Sequence, residues 1–319
     1  MTVLTGFLGA GKTTLLNRIL VEPHGQRIAV VQNEFGEIGI DAELMVAVDE
    51  DVVVMTNGCL CCTVRDDLAG AVVQLLDQGH QVDRIVVETT GLAVPGPIVQ
   101  TFLADPRVRE RVRLDGIVTV VDAKHFGRHS EQAPEVADQV AFADVLVLTK
   151  RDRASAAEAR TAAQRAQALN PGAPLRWADA LDISALLAIG GFDLDRVAVA
   201  GAGRAPVNVP DDHDHDPQIA SVALRVPGEL DGPGAYRWFG DLVSRHWPDV
   251  YRFKGVLALA GVPERVLIQG VHMLVDATTG PPWQPGEPRE SRLVLIGREL
   301  DGDALQAGLV QCAGNDNGI

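Results

Sequence analysis

The run Gly6-Phe7-Leu8-Gly9-Ala10-Gly11-Lys12-Thr13-Thr14 satisfies the pattern Gly-x4-Gly-Lys-Ser/Thr in full, and few short strings restrict a fold so tightly. The pattern needs a strand before it and a helix after it. Thr2-Val3-Leu4-Thr5 is short and β-branched, while Leu15, Leu16, Ile19 and Leu20 recur at helical spacing, so both flanks are present. Glycines at 6, 9 and 11 let the backbone curl until successive N–H groups and the helix N-terminus point at a polyphosphate. In that geometry Gly9, Ala10, Gly11 and Thr14 line the cradle, Lys12 reaches the β- and γ-phosphates, and Thr13 holds Mg²⁺. A glycine-rich turn that merely opens a helix would have no use for Lys-Thr at those positions.

The rest of the chain alternates strand and helix signals to about residue 190. Arg27 to Gln32, Arg84 to Val87, Gly116 to Val121 and Val145 to Leu148 are apolar runs of the buried parallel-strand type. Val64 to Leu76, Gly96 to Leu103, Glu131 to Phe142 and Ala154 to Leu169 carry helical patterns between them. Repeated β-α units of this kind predict a doubly wound, mostly parallel α/β sheet with ligands at the carboxyl ends of the strands. From Gly190 to Pro217 the composition turns to glycine, proline and the string Asp211-Asp212-His213-Asp214-His215-Asp216, which reads as an exposed acidic linker. Strand signals over Ile219 to Val226, Val250 to Ala260, Arg265 to Thr278 and Arg292 to Glu299, with helices at Gly234 to His246 and Asp301 to Leu309, predict a smaller α+β domain with a mostly antiparallel sheet. The expected division is 1–200, a linker at 201–217, and 218–319.

With 319 residues, 46% of them hydrophobic, the chain is long enough for two cores, and a formal net charge of −15 excludes a broad nucleic-acid partner. No apolar run reaches the ~18 residues a membrane span needs, and the strand at Thr2 leaves no room for a signal segment, which predicts a cytoplasmic protein without a membrane partner.

Three further clusters fall at strand ends. Glu88-Thr89-Thr90-Gly91 supplies a carboxylate for the Mg²⁺ shell, acting through a water, and a glycine whose N–H meets the γ-phosphate. Thr149-Lys150-Arg151-Asp152 selects the base: the Asp152 carboxylate can accept from N1–H and the 2-amino group of guanine, and adenine offers neither donor. Lys150 would lay its stem over the purine, so GTP and GDP are the expected nucleotides. Gly58-Cys59-Leu60-Cys61-Cys62 brings three thiols within four residues, a donor set for Zn²⁺, Cu⁺ or Co²⁺ rather than a disulfide framework. A fourth ligand must come from elsewhere. Glu34 and Glu37, in a polar loop after the second strand where a nucleotide-responsive switch would sit, are the candidates. His213, His215 and His272 read better as solvated or structural histidines, and Cys312 as incidental.

Gly6 to Thr14, Asn33 to Asp41, Gly58 to Cys62, Glu88 to Leu92, Val120-Val121-Asp122-Ala123 and Thr149 to Asp152, in that order, resemble the CobW family of P-loop GTPase metallochaperones. Tyr251 to Gly255, Gln269 to His272 and Arg292 to Arg298 resemble the CobW C-terminal domain, so the likeness covers nearly the whole chain. The resemblance implies slow GTP hydrolysis, with Lys12, Thr13 and Glu88 at the reacting phosphate, coupled to binding Zn²⁺ or Co²⁺ through Cys59, Cys61, Cys62 and Glu37. It also implies delivery of that metal to a metal-requiring client protein, and it leaves room for a homodimer. Two departures stand out. Gln32 occupies a position where the family commonly has glutamate, and the linker has two histidines in place of a long tract. No arginine finger or catalytic glutamine is evident, which fits partner-stimulated turnover. A nucleotide-locked zinc buffer and a P-loop kinase or ligase are the rival readings.

Overall fold

The computed structural model describes residues 1–33, 52–57, 64–78, 82–190, 219–245, 249–271 and 274–313, and the chain divides into two compact units. The acidic linker lies outside the described residues. No helix among those described is long and apolar enough to cross a membrane.

The first unit holds seven strands: β1 (Thr2–Gly6), β2 (Ile28–Asn33), β3 (Val52–Asn57), β4 (Arg84–Glu88), β5 (Gly116–Asp122), β6 (Val145–Thr149) and β7 (Leu175–Trp177). They pair in the order β3-β2-β4-β1-β5-β6-β7 with every pairing parallel. Successive residues of a strand face opposite sides. Val30 and Val86 therefore join one apolar cluster, and Val31 and Val87 the other, which is why these strands read as unbroken apolar runs. On one face Leu15, Leu16 and Ile19 of α1 (Lys12–Val21) close the core; on the other, Val72 and Leu75 of α2 (Val64–Asp77) and Phe102 of α3 (Pro95–Ala104) do so. The chain reverses its winding at β1, which lies between β4 and β5, so the crevice at the carboxyl ends opens where the phosphate-loop motif begins.

One helix expected over Glu131 to Phe142 is two. After the short α4 (Pro106–Arg109), α5 spans Phe126–Gln132 and α6 spans Pro134–Ala141, with Ala133 extended between them at φ −141 and ψ 107. Pro134 excludes the helical conformation at Ala133 and takes the first position of the next helix, where its missing N–H costs nothing. The strands β3 and β7 escaped the sequence reading. After α7 (Ala156–Leu169) and β7, the short α8 (Ile183–Leu186) ends this unit's helices among the described residues.

The second unit is a five-stranded antiparallel sheet of β8 (Ile219–Pro227), β9 (Val250–Leu257), β10 (Glu264–Val271), β11 (Leu274–Pro282) and β12 (Glu290–Arg298), ordered β11-β10-β9-β12-β8. Its core joins Phe239 and Leu242 of α9 (Gly232–Arg245) and Leu305 and Leu309 of α10 (Gly302–Val310) to Leu224, Phe253, Leu293 and Leu295 of the sheet. The single strand expected over Arg265 to Thr278 is a hairpin, with Val271 opposite Leu274. No glycine or proline punctuates that turn in the sequence, yet one strand through it would far outrun its eight- and nine-residue neighbours. Cys312 is buried in this core, and burial pushes its thiol pKa up, as suits an inert side chain.

Candidate functional site

The loop after β1 adopts the curl its glycines allow. Gly9 and Gly11 have φ of 69 and 102, and Gly6 has φ 143 with its α-carbon pressed so close to the Val120 carbonyl that a Cβ would overlap it. Gly11 caps α1 without any side-chain hydrogen bond, so the helix's first N–H groups have no side-chain cap. Lys12 folds back over the loop and donates from Nζ to the carbonyls of Gly6 at 2.9 Å and Phe7 at 3.3 Å. Gly91 lies against this loop: a Cβ there would stand 2.7 Å from the Leu8 backbone nitrogen. Buried Gln139 pins the Gly91 turn by donating from Nε2 to the carbonyls of Gly91 and Ala93, each at 3.0 Å. An anion cradle is the chemistry this backbone fits.

Beside the cradle, at the end of β4, the Glu88 carboxylate is 5% exposed. Thr13 Oγ1 donates to its Oε1 at 3.2 Å and Gln32 Nε2 to its Oε2 at 2.9 Å. Thr13 and Glu88 thus present an all-oxygen donor set, which fits Mg²⁺ and its retained waters.

The base-reading segment meets the cradle from the other side. Thr149 ends β6, and its hydroxyl donates to the Ala10 carbonyl at 2.6 Å. Thr149 therefore acts as a staple between the two loops. Lys150 follows in the left-handed region at φ 56. Its ammonium reaches Asp122 Oδ2 at 2.8 Å, the same oxygen that His125 Nδ1 approaches at 2.8 Å. Asp122 Oδ1 accepts from the backbone N–H of Lys124 at 2.9 Å and of His125 at 3.2 Å. Burial works to raise the Asp122 pKa, but the Lys150 and His125 hydrogen bonds and the Lys150 charge outweigh it and hold the carboxyl below its ordinary value. Asp152, by contrast, has a side chain 80% exposed, with Arg153 Nε 3.8 Å away. On the cradle's flank, His129 packs its ring 4.8 Å from that of Phe7, and burial lowers its pKa.

Asp122 carried no role in the sequence reading, although Val120 to Ala123 was part of the pattern noticed there. The signal available was a strand-end carboxylate one strand away from Lys150. The role of Gln32 was missed for the same reason, since both depend on which strands become neighbours.

Cys59, Cys61, Cys62, Glu34 and Glu37 lie outside the described residues, as do His213, His215 and His272. Their anchor points do not. Asn33 at the end of β2 stands in register with Asn57 at the end of β3, so the acidic loop and the cysteine segment leave the sheet at adjacent carboxyl ends. Among the described residues no cluster of three His, Cys, Asp or Glu could hold a metal ion.

Residues 1–176 match the CobW/HypB/UreG nucleotide-binding domain, and residues 219–313 match the cobalamin synthesis protein cobW C-terminal domain. The chain is 37% identical over 313 residues to the zinc chaperone YjiA of Escherichia coli, covering 96% of each chain. It is 36% identical over 344 residues to the zinc chaperone CobW of Pseudomonas aeruginosa, covering 96% of this chain and 89% of that one. Its fold superposes on the crystal structure of Zn(II)-bound YjiA GTPase from E. coli with a TM-score of 0.75 at 32% identity, across 98% of both chains.

Proposed function

We propose, from the premise that this chain belongs to the CobW/HypB/UreG family of nucleotide-binding proteins, that it is a GTP-hydrolysing zinc metallochaperone. The observation that carries the nucleotide half is the convergence of three contacts from the ends of β4 and β6 on the phosphate loop and the start of α1: Glu88 on Thr13, Gly91 against Leu8, and Thr149 on Ala10. The backbone of Gly9 to Thr14 and the N-terminus of α1 bind the phosphates, and Lys12 leaves its resting carbonyls for the β- and γ-oxygens. Thr13 and Glu88 would hold Mg²⁺, which would neutralise phosphate charge, and the Gly91 N–H would meet the γ-phosphate. Lys150, its ammonium fixed by Asp122, offers its stem to the purine, and exposed Asp152 accepts from guanine.

The metal half rests on the names of the relatives and on the paired exits at Asn33 and Asn57. Cys59, Cys61 and Cys62 bind zinc as thiolates, Glu37 joins them when the γ-phosphate orders its loop, and hydrolysis releases the ion to a client protein. Cobalt is accepted by the same soft donors and serves as a spectroscopic substitute.

Single-turnover GTP hydrolysis with and without Zn²⁺ tests this reading. Zinc should change the hydrolysis rate, and Lys12→Ala should abolish nucleotide binding in a folded protein. Turnover indifferent to zinc would leave a GTPase without the coupling.

A further inference from the structure

The proposed reading gives Glu88 to the cation and the metal to the loop after β2, but it leaves Gln32 without a role. Gln32 is the penultimate residue of β2, 1% exposed, and it stands in register with Glu88 on the neighbouring parallel strand β4. Register partners on adjacent strands project from the same face, so the two side chains meet. The carboxylate can only accept, which assigns the Gln32 nitrogen to the 2.9 Å contact with Glu88 Oε2 and turns Gln32 Oε1 the other way. That oxygen is buried and has no hydrogen-bond partner among the described residues. A buried acceptor left open costs free energy, so the site tolerates an orphan on one end of the amide to keep a donor on Glu88 at the other. The opposite carboxylate oxygen accepts from Thr13, and the result is one line of contacts from β2 through Glu88 to the first turn of α1.

We propose that Gln32 is a positioning residue for the nucleotide's magnesium, fixing Glu88 against Thr13 through its amide nitrogen and leaving Oε1 to accept from the cation's water shell. An apolar side chain at this position would let Glu88 swing. The inference rests on the reading of Thr13 and Glu88 as the magnesium side.

Titrating Mg²⁺ against binding of a fluorescent GTP analogue tests it, with circular dichroism and thermal melts as the check on folding. Gln32→Met keeps the volume and loses the hydrogen bond. It should raise the Mg²⁺ concentration for half-maximal binding about tenfold, while binding in EDTA stays within about twofold of wild type. Gln32→Asn keeps the amide but withdraws it by one methylene, and should shift the midpoint the same way by a smaller factor. In a Glu88→Gln background the Gln32→Met shift should shrink to less than about twofold, since the effect runs through the carboxylate; a merely structural role would carry over in full. A wild type that binds GTP with no dependence on Mg²⁺ removes the reading of Thr13 and Glu88, and the inference with it. A wild type that depends on Mg²⁺, beside Gln32 variants with unchanged midpoints, overturns the role of Gln32 alone.

Discussion

The Lys150 ammonium and the Asp122 carboxylate meet at 2.8 Å across neighbouring strand ends, with Asp122 only 4% exposed. A lysine tethered by its tip cannot fold over its own charge. Its methylene stem is held as a shelf on a left-handed backbone, the one the proposed function offers to the purine.

Asp122→Asn should therefore weaken GTP and GDP together, by about tenfold, because the shelf serves the purine and not the γ-phosphate. Binding of both nucleotides by calorimetry checks this. A loss confined to GTP would place Asp122 in the phosphate mechanism instead.

The same residue sets a pH dependence whose sign follows from its lowered pKa. The folded-state value lies below the ordinary aspartate value of about 3.9, so the stabilisation from Asp122 is complete above that pH and is lost as pH falls through the folded value. Acid-unfolding curves of wild type and Asp122→Asn should differ at neutral pH, begin to approach one another below about pH 4 and converge as pH falls through the folded value. Curves that stay parallel to low pH would mean the stabilisation does not come from the ionised carboxylate.

Asp152 has only a long, solvent-exposed ion pair with Arg153 at 3.8 Å, so Asp152→Asn should leave the melting temperature unchanged. It should also relax discrimination between GTP and ATP by about tenfold or more, since one carboxylate acceptor becomes a donor facing guanine's own donors. Competition between the two nucleotides reads the ratio directly, and an unchanged ratio would move base selection away from Asp152.

Gly91→Ala puts a Cβ 2.7 Å from the Leu8 nitrogen, a contact that backbone must yield to relieve. We expect GTP affinity to fall by at least about tenfold, and stability by about 1–3 kcal/mol, the usual cost of overpacking. Melting curves with and without GTP separate the two effects. A variant with normal affinity would show that the Gly91 turn does not bear on the cradle.

The phosphate loop was legible in the sequence because its chemistry is local. Gly6, Gly9 and Gly11 state their backbone conformations by being glycine, and Lys12-Thr13 states the ligand. Glu88, Gly91 and Thr149 to Asp152 were legible as strand ends, since each follows an apolar run. Asp122 and Gln32 were not, because a carboxylate's or amide's partner across the sheet depends on strand order and register, which the linear pattern does not contain. Pro134 did carry its signal, a helix start inside a longer apolar repeat, and the repeat obscured it. The hairpin after Val271 carried none, as its turn has neither glycine nor proline. The register of Asn33 with Asn57 likewise follows only from the pairing of β2 with β3, and it sets the anchor points of the acidic loop and the cysteine segment on neighbouring strands.

In the proposed function, that pairing of anchor points is what would couple nucleotide to metal. The direct test is the zinc affinity of the full chain, measured by competition with a chromophoric chelator in the presence of GTP with Mg²⁺, of GDP with Mg²⁺, and without nucleotide. Affinity should be highest with GTP and lower with GDP by the ~1–3 kcal/mol typical of coupled sites, and by reciprocity zinc should tighten GTP binding by the same factor. Cys61→Ala should weaken the site most. Zinc affinity identical in all three states would contradict the chaperone switch and leave a zinc buffer attached to an independent GTPase.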